Sequence, residues 1–214
     1  MTQRDLRRSR RIDAILESAV AAFRENGYHG TPMEAIADRL LLTKGSLYYY
    51  FRDKEEILFA VHQRALDRLF EELERAEAAG GCPCARLERL VAAHVRIMVE
   101  GFHGTALALD FGALSAERLA EVVKRRDRYE RALRGLVRQG VREGCLRPVD
   151  PRLAGFALLG AINWIARWYR PDGPIGADEL SRSLLDVFFS GLRAAPPTHA
   201  VAAGSRSPKT RRQA

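Results

Sequence analysis

The chain has 214 residues, of which 47% are hydrophobic and 29% are charged, and its formal net charge is +8. A chain of this length and composition forms one large or two small globular domains. Its arginine-rich beginning lacks the apolar core of a secretory signal peptide, and its longest apolar run, residues 153–169, is shorter than the roughly 20 residues that span a bilayer. We therefore expect a cytoplasmic protein without a membrane partner.

The chain begins with a basic arm and an amphipathic helix. Residues 1–11 hold five arginines and one acid, a net charge of +4. Apolar residues between 12 and 23 recur three and four positions apart, which predicts a helix, and Gly27 is placed to end it. The sequence "TPME" then predicts a short second helix that runs to about Leu40, with Thr31 as its N-cap and Pro32 at its first position.

The stretch "TKGSLYYYF", residues 43–51, places three consecutive tyrosines on one short helix. Neighbouring helical residues face about 100° apart, so at least one ring must point outward. We expect Leu47 and Phe51 to pack inward against the first two helices, and Asp53 to cap a long fourth helix. The residues expected to face outward are Lys44, Ser46, Tyr48 and Tyr49.

The remainder of the chain predicts a larger helical body, without a strand pattern or an internal repeat. Its helices are expected at about 54–76, 84–101, 105–113, 116–143, 151–170 and 178–193. The helix at 151–170 is apolar nearly all round, which requires cover on two sides. We expect that helix and the last one to form a four-helix interface with a second copy of the chain. A core helix within one chain is the alternative.

Three cysteines occur in the chain, two of them in the sequence "CPC" at Cys82 and Cys84. They do not make a disulfide framework, and without a signal peptide they indicate a reducing compartment. A redox or metal sensor that includes Cys145 is the alternative, but two thiols one residue apart rarely suffice. The histidines also lack paired metal-ligand spacing, so we predict no metal and no cofactor.

The last 21 residues are rich in Ala, Ser, Pro and Arg, and we predict that they are disordered. Residues 193–214 carry a net charge of +5, which leaves the body of the chain at −1. Two basic ends on a nearly neutral body favour a polyanionic partner reached by the ends, although solvated tails would have the same composition.

A long helix followed by two short helices and tight turns is typical of the helix-turn-helix unit, whose second helix lies in the DNA major groove. Lysine can bond guanine O6 and N7, and serine can reach either base edge. A tyrosine hydroxyl suits a phosphate oxygen, and Lys54 could neutralise another phosphate. An αα-hairpin whose tyrosines cover a protein core is the alternative.

Residues 15–58 resemble the DNA-binding domain of TetR-family transcriptional regulators, through "FRENGY", "TPMEAIA", "KGSLYYYF" and "KEEIL". The resemblance implies an all-α homodimer, with a helix-turn-helix domain and basic arm at 1–54, a ligand-binding and dimerisation domain at 55–193 and a tail at 194–214. It also implies base contacts by Lys44, Gly45, Ser46 and Tyr48, and phosphate contacts by Thr31, Tyr49, Tyr50 and Lys54.

One position departs from the family pattern. Members usually have glycine in the turn between the two short helices, where this chain has Leu40, Leu41 and Leu42. If residue 41 keeps a left-handed conformation, leucine there costs roughly 1–2 kcal/mol. We expect the fold to tolerate this strain, while the docking angle on DNA can shift.

Residues 128–180 resemble the C-terminal domain of a TetR subgroup that often responds to acyl-CoA thioesters, through "LAGFALLGAINWIARWY" and the "PDG" turn. Such a ligand needs an apolar slot for its acyl chain and cations for its phosphates. Arg126, within "KRRDRYER", is a candidate phosphate partner, although that segment also fits a solvated helix face. The candidate slot walls, which could equally be plain core residues, are Met98, Phe102, Phe111, Phe156 and Trp164.

These patterns predict a repressor that binds double-stranded DNA as a homodimer on a palindrome and is released by a small-molecule effector, an acyl-CoA thioester of fatty-acid or aromatic-acid degradation. The alternatives are a repressor of an efflux pump that responds to a drug-like apolar ligand, and a DNA binder that ignores small molecules. An enzyme is not expected, because the sequence has no nucleophile–base pair, phosphate-binding glycine loop or metal cluster.

Overall fold

The computed structural model describes residues 2–99, 111–170 and 172–192, without the side chains of Phe111 and Leu192. The described residues form eight α-helices and no strand, which confirms the all-α prediction. The helices are α1 (Gln3–Gly30), α2 (Met33–Asp38), α3 (Lys44–Tyr50), α4 (Lys54–Ala78), α5 (Pro83–Val99), α6 (Ala116–Arg142), α7 (Pro151–Trp168) and α8 (Ala177–Leu192). The helix expected at about 105–113 falls mostly outside the described residues, apart from a 3-10 turn at Phe111–Ala113, and so does the tail.

The first helix begins earlier than the apolar pattern indicates. Thr2 is its N-cap, and Thr2 and Asp5 form a capping box in which each side chain accepts a hydrogen bond from the other residue's backbone N–H. The backbone leaves the helical conformation at Gly27, with φ 73°, where the sequence predicts a stop, and one further turn follows to Gly30. The basic arm is therefore part of α1.

The second helix is shorter than predicted and capped differently. Its N-cap is Pro32 rather than Thr31, and it ends at Asp38 rather than near Leu40. The Thr31 hydroxyl instead donates hydrogen bonds back into α1, to the carbonyl oxygens of Ala22 at 3.1 Å and Gly27 at 2.8 Å. The prediction was wrong at this residue because "TPME" identifies a helix start but gives no information about carbonyls of the preceding helix.

The turn after α2 has the left-handed residue that the family pattern implies. Leu41 has φ 52°, and its side chain is 95% exposed. The Leu42 N–H donates to the Ala37 carbonyl and the Leu41 N–H to the Asp38 carbonyl, at 3.0 and 3.1 Å. These two bonds form a Schellman motif, which normally carries glycine at the left-handed position. The geometry of the turn is thus preserved although its usual residue is absent.

The body packs around α5, which contacts α4, α6, α7 and α8. The predicted stripe of α4, from Leu58 to Ala76, is buried, and Asp53 and Asp150 cap α4 and α7 as expected. One face of α7 is buried, including Ile162. The opposite face carries large exposed side chains, namely Leu153, Phe156, Trp164 and Trp168. No helix in the described ranges is long and apolar enough to cross a membrane.

A disulfide joins Cys84, at the beginning of α5, to Cys145, just after α6, and leaves Cys82 as an exposed thiol. The expectation of unpaired cysteines was wrong at these two positions. The partners are 61 residues apart in sequence, and helix packing brings their Cα atoms to 6.3 Å. Such proximity depends on the tertiary arrangement of two helices, which cysteine spacing cannot show.

Candidate functional site

Helices α1, α2 and α3 form an N-terminal unit that we call the head, and α3 packs against the other two through one buried face. Thr43 caps α3 by accepting a hydrogen bond from the Ser46 N–H at 3.1 Å. Leu47 on α3 and Phe51 after it are buried in the same apolar cluster as Phe23 and Ile36, as predicted. This short helix is therefore fixed by packing, because a seven-residue helix has little stability of its own.

The opposite face of α3 is directed outward. Lys44, Gly45, Tyr48 and Tyr49 are exposed, Tyr49 by 71%. Ser46 is half-buried, and its hydroxyl lies 2.8 Å from that of Thr43. Tyr50 is also half-buried, with its ring edge-on to Tyr49 at a centroid distance of 5.1 Å. The structure thus brings together six of the eight predicted DNA-contact residues on one surface.

The exposed lysine of this surface has an intramolecular partner. The Lys44 ammonium forms an ion pair with Glu34 of α2, and it also lies 5.8 Å from the centre of the Tyr48 ring. The hydrogen bond between them lowers the pKa of Glu34 and raises that of Lys44. Both side chains are largely exposed, so the pair contributes little stability and can be exchanged for a base or a phosphate.

The structure gives Thr31 and Lys54 roles that differ from the predicted phosphate contacts. Thr31 is fully buried, with its hydroxyl bound to carbonyls of α1. The Lys54 ammonium donates to the carbonyls of Tyr28 at 2.6 Å and Thr31 at 2.9 Å, and it lies 4.5 Å from the centre of the Tyr28 ring. Burial lowers the pKa of Lys54. Lys54 therefore neutralises the carbonyl end of α1, where a cation is favourable.

The head and the body meet where α6 begins. Arg118 of α6 lies 3.3 Å from the carboxylate of Glu55 on α4, and the Ser115 N–H donates to the same carboxylate at 2.9 Å. The Arg118 guanidinium also lies 5.5 Å from the centre of the Phe59 ring. The beginning of α4 is thus tied both to the head, through Lys54, and to α6.

A cavity of about 70 Å³ lies between four helices of the body and opens to solvent beside Asn163, which is exposed. The residues that line it are Leu66 and Leu69 of α4, His94 of α5, Arg126 and Tyr129 of α6, and Leu159 and Asn163 of α7. The cavity has apolar walls with a few polar groups, the composition typical of small-molecule sites, but its volume is well below the roughly 300–1,000 Å³ of such sites, so a ligand as large as an acyl-CoA requires the helices around it to move apart. Burial lowers the pKa of Arg126.

His94 is the polar group most enclosed in this cavity, with 2% of its surface exposed. Its Nδ1 atom lies 3.2 Å from the Tyr129 hydroxyl, and its Nε2 atom has no hydrogen-bond partner among the described residues. Burial lowers the pKa of His94 to about 3 and raises that of Tyr129. His94 is therefore neutral near pH 7, and its Nε2 atom can hydrogen-bond a polar group of a ligand.

Most of the predicted ligand residues do not line this cavity. Arg126 does, whereas Met98 is buried without lining it. Phe156 and Trp164 lie on the exposed face of α7, 49% and 63% exposed, so they do not form an internal slot wall. Phe102 and the Phe111 side chain lie outside the described residues. Sequence reasoning missed His94 and Asn163, since a single polar residue in an amphipathic helix gives no signal of its surroundings.

Two short helices joined by a tight turn, with the second anchored by one face and exposed along the other, define a helix-turn-helix DNA-binding protein. Residues 15–61 match the family model described as bacterial regulatory proteins, tetR family, and residues 80–192 match the one described as tetracyclin repressor-like, C-terminal domain. The chain belongs to the TetR family of bacterial transcriptional regulators.

Three relatives illustrate the similarity. The HTH-type transcriptional repressor KstR2 of Rhodococcus jostii is 29% identical over 86% of this chain and 92% of its own length. The crystal structure of the TetR-family regulator PfmR from Thermus thermophilus is 38% identical, with a TM-score of 0.76 over 83% of this chain and 97% of its own. AibR, solved in complex with isovaleryl coenzyme A and operator DNA, is 28% identical, with a TM-score of 0.76 over 84% and 98%.

Proposed function

We propose that this protein is a ligand-responsive repressor that acts in the cytoplasm on a palindromic operator. The observation that carries this proposal is the exposed face of α3, on which Lys44, Tyr48 and Tyr49 point to solvent and do not take part in the core. Lysine and hydroxyl groups are suited to base edges and phosphate oxygens. Leu47 is the one buried residue of α3, so the opposite face is free to enter a major groove.

We also propose that the active species is a homodimer formed through α7 and α8. The outer face of α7 exposes Leu153, Phe156, Trp164 and Trp168, and α8 exposes Val187, which is 70% exposed. A patch of large apolar side chains on one face favours a protein partner, and a two-fold axis lets the same patch cover itself. The two α3 helices then enter successive major grooves, about 34–36 Å apart.

The effector proposed for the cavity is an acyl-CoA thioester. Its support is the AibR complex with isovaleryl coenzyme A, together with the chemistry of the cavity lining. Leu66, Leu69 and Leu159 offer apolar contacts to an acyl chain, while His94 Nε2 can donate to the thioester carbonyl if Nδ1 accepts from Tyr129. Arg126 offers a cation to a phosphate.

Helix α4 connects this cavity to the head. Leu66 and Leu69 line the cavity, while the beginning of α4, about 18 Å away along the helix at 1.5 Å per residue, holds Lys54 against the head. An effector that binds more tightly to a shifted position of α4 would change the separation of the two heads. A coupling of about 1–3 kcal/mol, typical of allosteric proteins, is enough for a useful switch.

DNA binding is tested by selection from a random double-stranded pool, followed by fluorescence anisotropy on the enriched duplex. We expect enrichment of an inverted repeat and binding that weakens steeply with salt. If no duplex is enriched and none is bound at low ionic strength, the proposal of a DNA-binding repressor is wrong.

Isovaleryl-CoA is the probe for the effector, with free coenzyme A as its control. We expect isovaleryl-CoA or a longer acyl-CoA to release the enriched duplex and to raise the thermal unfolding midpoint, since a ligand at about 100 times its Kd adds about 2.7 kcal/mol. Release by a drug-like apolar compound alone would instead assign the effector to the other class. No response to either class would leave a DNA binder without an effector.

The dimer is tested by Trp164→Glu, which places a charge in the exposed apolar patch of α7. We expect the wild-type protein to sediment as a dimer and the variant as a monomer that binds the inverted repeat at least tenfold more weakly. Arg138→Glu, on the exposed side of α6, is the matched control and should remain dimeric. A dimeric Trp164→Glu variant would place the interface elsewhere.

A further inference from the structure

The first nine residues of α1 form a helical rod that extends from the head. The rod begins at the Thr2–Asp5 capping box, and from Thr2 to Arg8 every residue is exposed. The same helix becomes buried from Ile15 onward, where it joins the core of the head. The rod is thus a continuous part of α1 rather than a separate irregular tail.

One face of this rod consists of arginines. Arg4, Arg7, Arg8 and Arg11 follow the spacing i, i+3, i+4, i+7, which places them within about 100° of each other around the helix. We call this set the arginine face. No described acid lies within 4.0 Å of the four guanidinium groups, and Asp5, the one acid of the rod, is bonded to Thr2 and interacts with Arg8 only at longer range, which helps to lower the pKa of Asp5.

The arginine face lies beside α3, the helix proposed to enter the major groove. A cleft of about 710 Å³ separates the arginines of the rod from Tyr49 and Tyr50. A second cleft continues from Arg11 and Tyr49 to Thr43, Gly45 and Ser46. The exposed arginines of the rod and the exposed end of α3 therefore line adjoining clefts.

We propose that the arginine face binds the sugar-phosphate backbone of the duplex that α3 contacts, an inference that rests on the proposed function. Guanidinium groups bind phosphates in a bidentate geometry, and the helix holds them at fixed intervals. From Arg4 to Arg11 the rise is about 10.5 Å, so the guanidinium groups are spread along the rod and each can reach a phosphate oxygen of its own.

The test compares the triple variant R4A/R8A/R11A with the control R131A/R138A/R142A, which removes the same charge from exposed positions of α6. The probe is a long fluorescein-labelled duplex that the full-length protein has enriched from a random pool. Because each phosphate contact contributes about 0.9 to the slope of log K against log salt, we expect the slope to fall by about 2.7 per subunit in the rod variant. The control should keep the wild-type slope.

Four further outcomes decide the inference. R4K/R8K/R11K should keep the slope but bind more weakly, since lysine lacks the bidentate geometry. If wild type binds DNA and the rod and control variants have equal salt slopes, the arginine face does not bind phosphates, and the proposed function still stands. No duplex binding by wild type overturns both. Loss of binding to phosphatidylglycerol vesicles, with an unchanged slope on DNA, would assign the rod to membranes and overturn the proposal.

Discussion

The recognition surface of the head and the cavity of the body place their polar groups in opposite environments. On α3 the Lys44–Glu34 pair is exposed, so water solvates both charges and the pair can be broken at little expense. In the cavity His94 is almost fully buried and neutral, and its Nε2 atom has no described partner. A buried polar atom without a hydrogen bond is destabilising.

This difference indicates how each region responds to its ligand. The head exchanges one set of exposed polar contacts for another, so its affinity for DNA depends on salt and on a few side chains. Under the proposed function, a ligand that enters the cavity would add hydrogen bonds, so we expect the response of the body to appear as a change in stability. Four variants test the two halves of this comparison, in order of decreasing expected effect.

Lys44→Ala removes the cation of the recognition surface. We expect affinity for the enriched duplex to fall about tenfold to hundredfold, because one good base contact is worth about 1–3 kcal/mol. Fluorescence anisotropy at fixed salt measures this. Lys124→Ala, an exposed lysine of α6, is the control and should bind as wild type. Equal loss in both variants would mean that net charge alone determines binding.

The double variant H94F/Y129F replaces the buried polar pair with apolar rings of similar shape. We expect a gain of about 1–2 kcal/mol in the free energy of unfolding in urea, together with loss of the effector response. Tyr129→Phe alone removes the partner of Nδ1 and should destabilise the protein. A double variant that is less stable than the single one would show that the pair is already satisfied in the folded protein.

The same double variant should alter the pH dependence of stability. Burial lowers the pKa of His94 from 6.5 to about 3, so the folded protein binds fewer protons than the unfolded chain between these values. The contribution of neutral His94 to the free energy of unfolding is complete above pH 6.5. It is lost as pH falls toward 3, at up to about 1.4 kcal/mol per pH unit. Urea unfolding at pH 7, 6 and 5 should show a shallower decline for H94F/Y129F. If wild type and H94F/Y129F lose stability equally as pH falls, the lowered pKa of His94 is contradicted.

Leu41→Gly relieves the left-handed backbone of the turn before α3. Its side chain is almost entirely exposed, so little packing is lost, and we expect a gain of about 1 kcal/mol in the free energy of unfolding. Leu41→Ala keeps a Cβ atom and should show no gain. If both variants are equally stable, the turn carries no strain at this position.

Glu34→Gln releases Lys44 from its ion pair and removes a negative charge beside the proposed DNA surface. We expect DNA affinity to increase by about twofold to fivefold, in line with the small energy of an exposed pair. Glu71→Gln removes the same charge from an ion pair of α4 and serves as the control. A decrease in affinity for Glu34→Gln would mean that Glu34 positions Lys44 for its contact with DNA.

The head was predictable from sequence because its signals are local. The inward position of Leu47 and the Asp53 cap follow from short motifs, whereas the left-handed conformation of Leu41 was implied only by the family resemblance. The extension of α1 to Gln3 also has a local signal, the Thr2–Asp5 capping box, which composition alone obscured. The Thr31 cap was wrong, and the carbonyl contacts of Thr31 and Lys54 could not be predicted, because their partners lie on another segment of the head.

The cavity was not predictable because its lining comes from four helices. Arg126 was identified from a run of cations, but His94 and Asn163 are single polar residues in apolar helices. Phe156 and Trp164 have the same composition as core residues, and only packing shows that they lie on an exposed face. The Cys84–Cys145 pair likewise depends on the approach of two helix ends.

The central claim is that the exposed face of α3 contacts base edges, and selection with the Lys44→Ala variant tests it most directly. Wild type and variant are each taken through enrichment from the same random duplex pool, and the enriched sequences are compared position by position. We predict that the variant keeps the inverted repeat but loses the preference for guanine at one position in each half-site. An unchanged preference at every position would contradict the account.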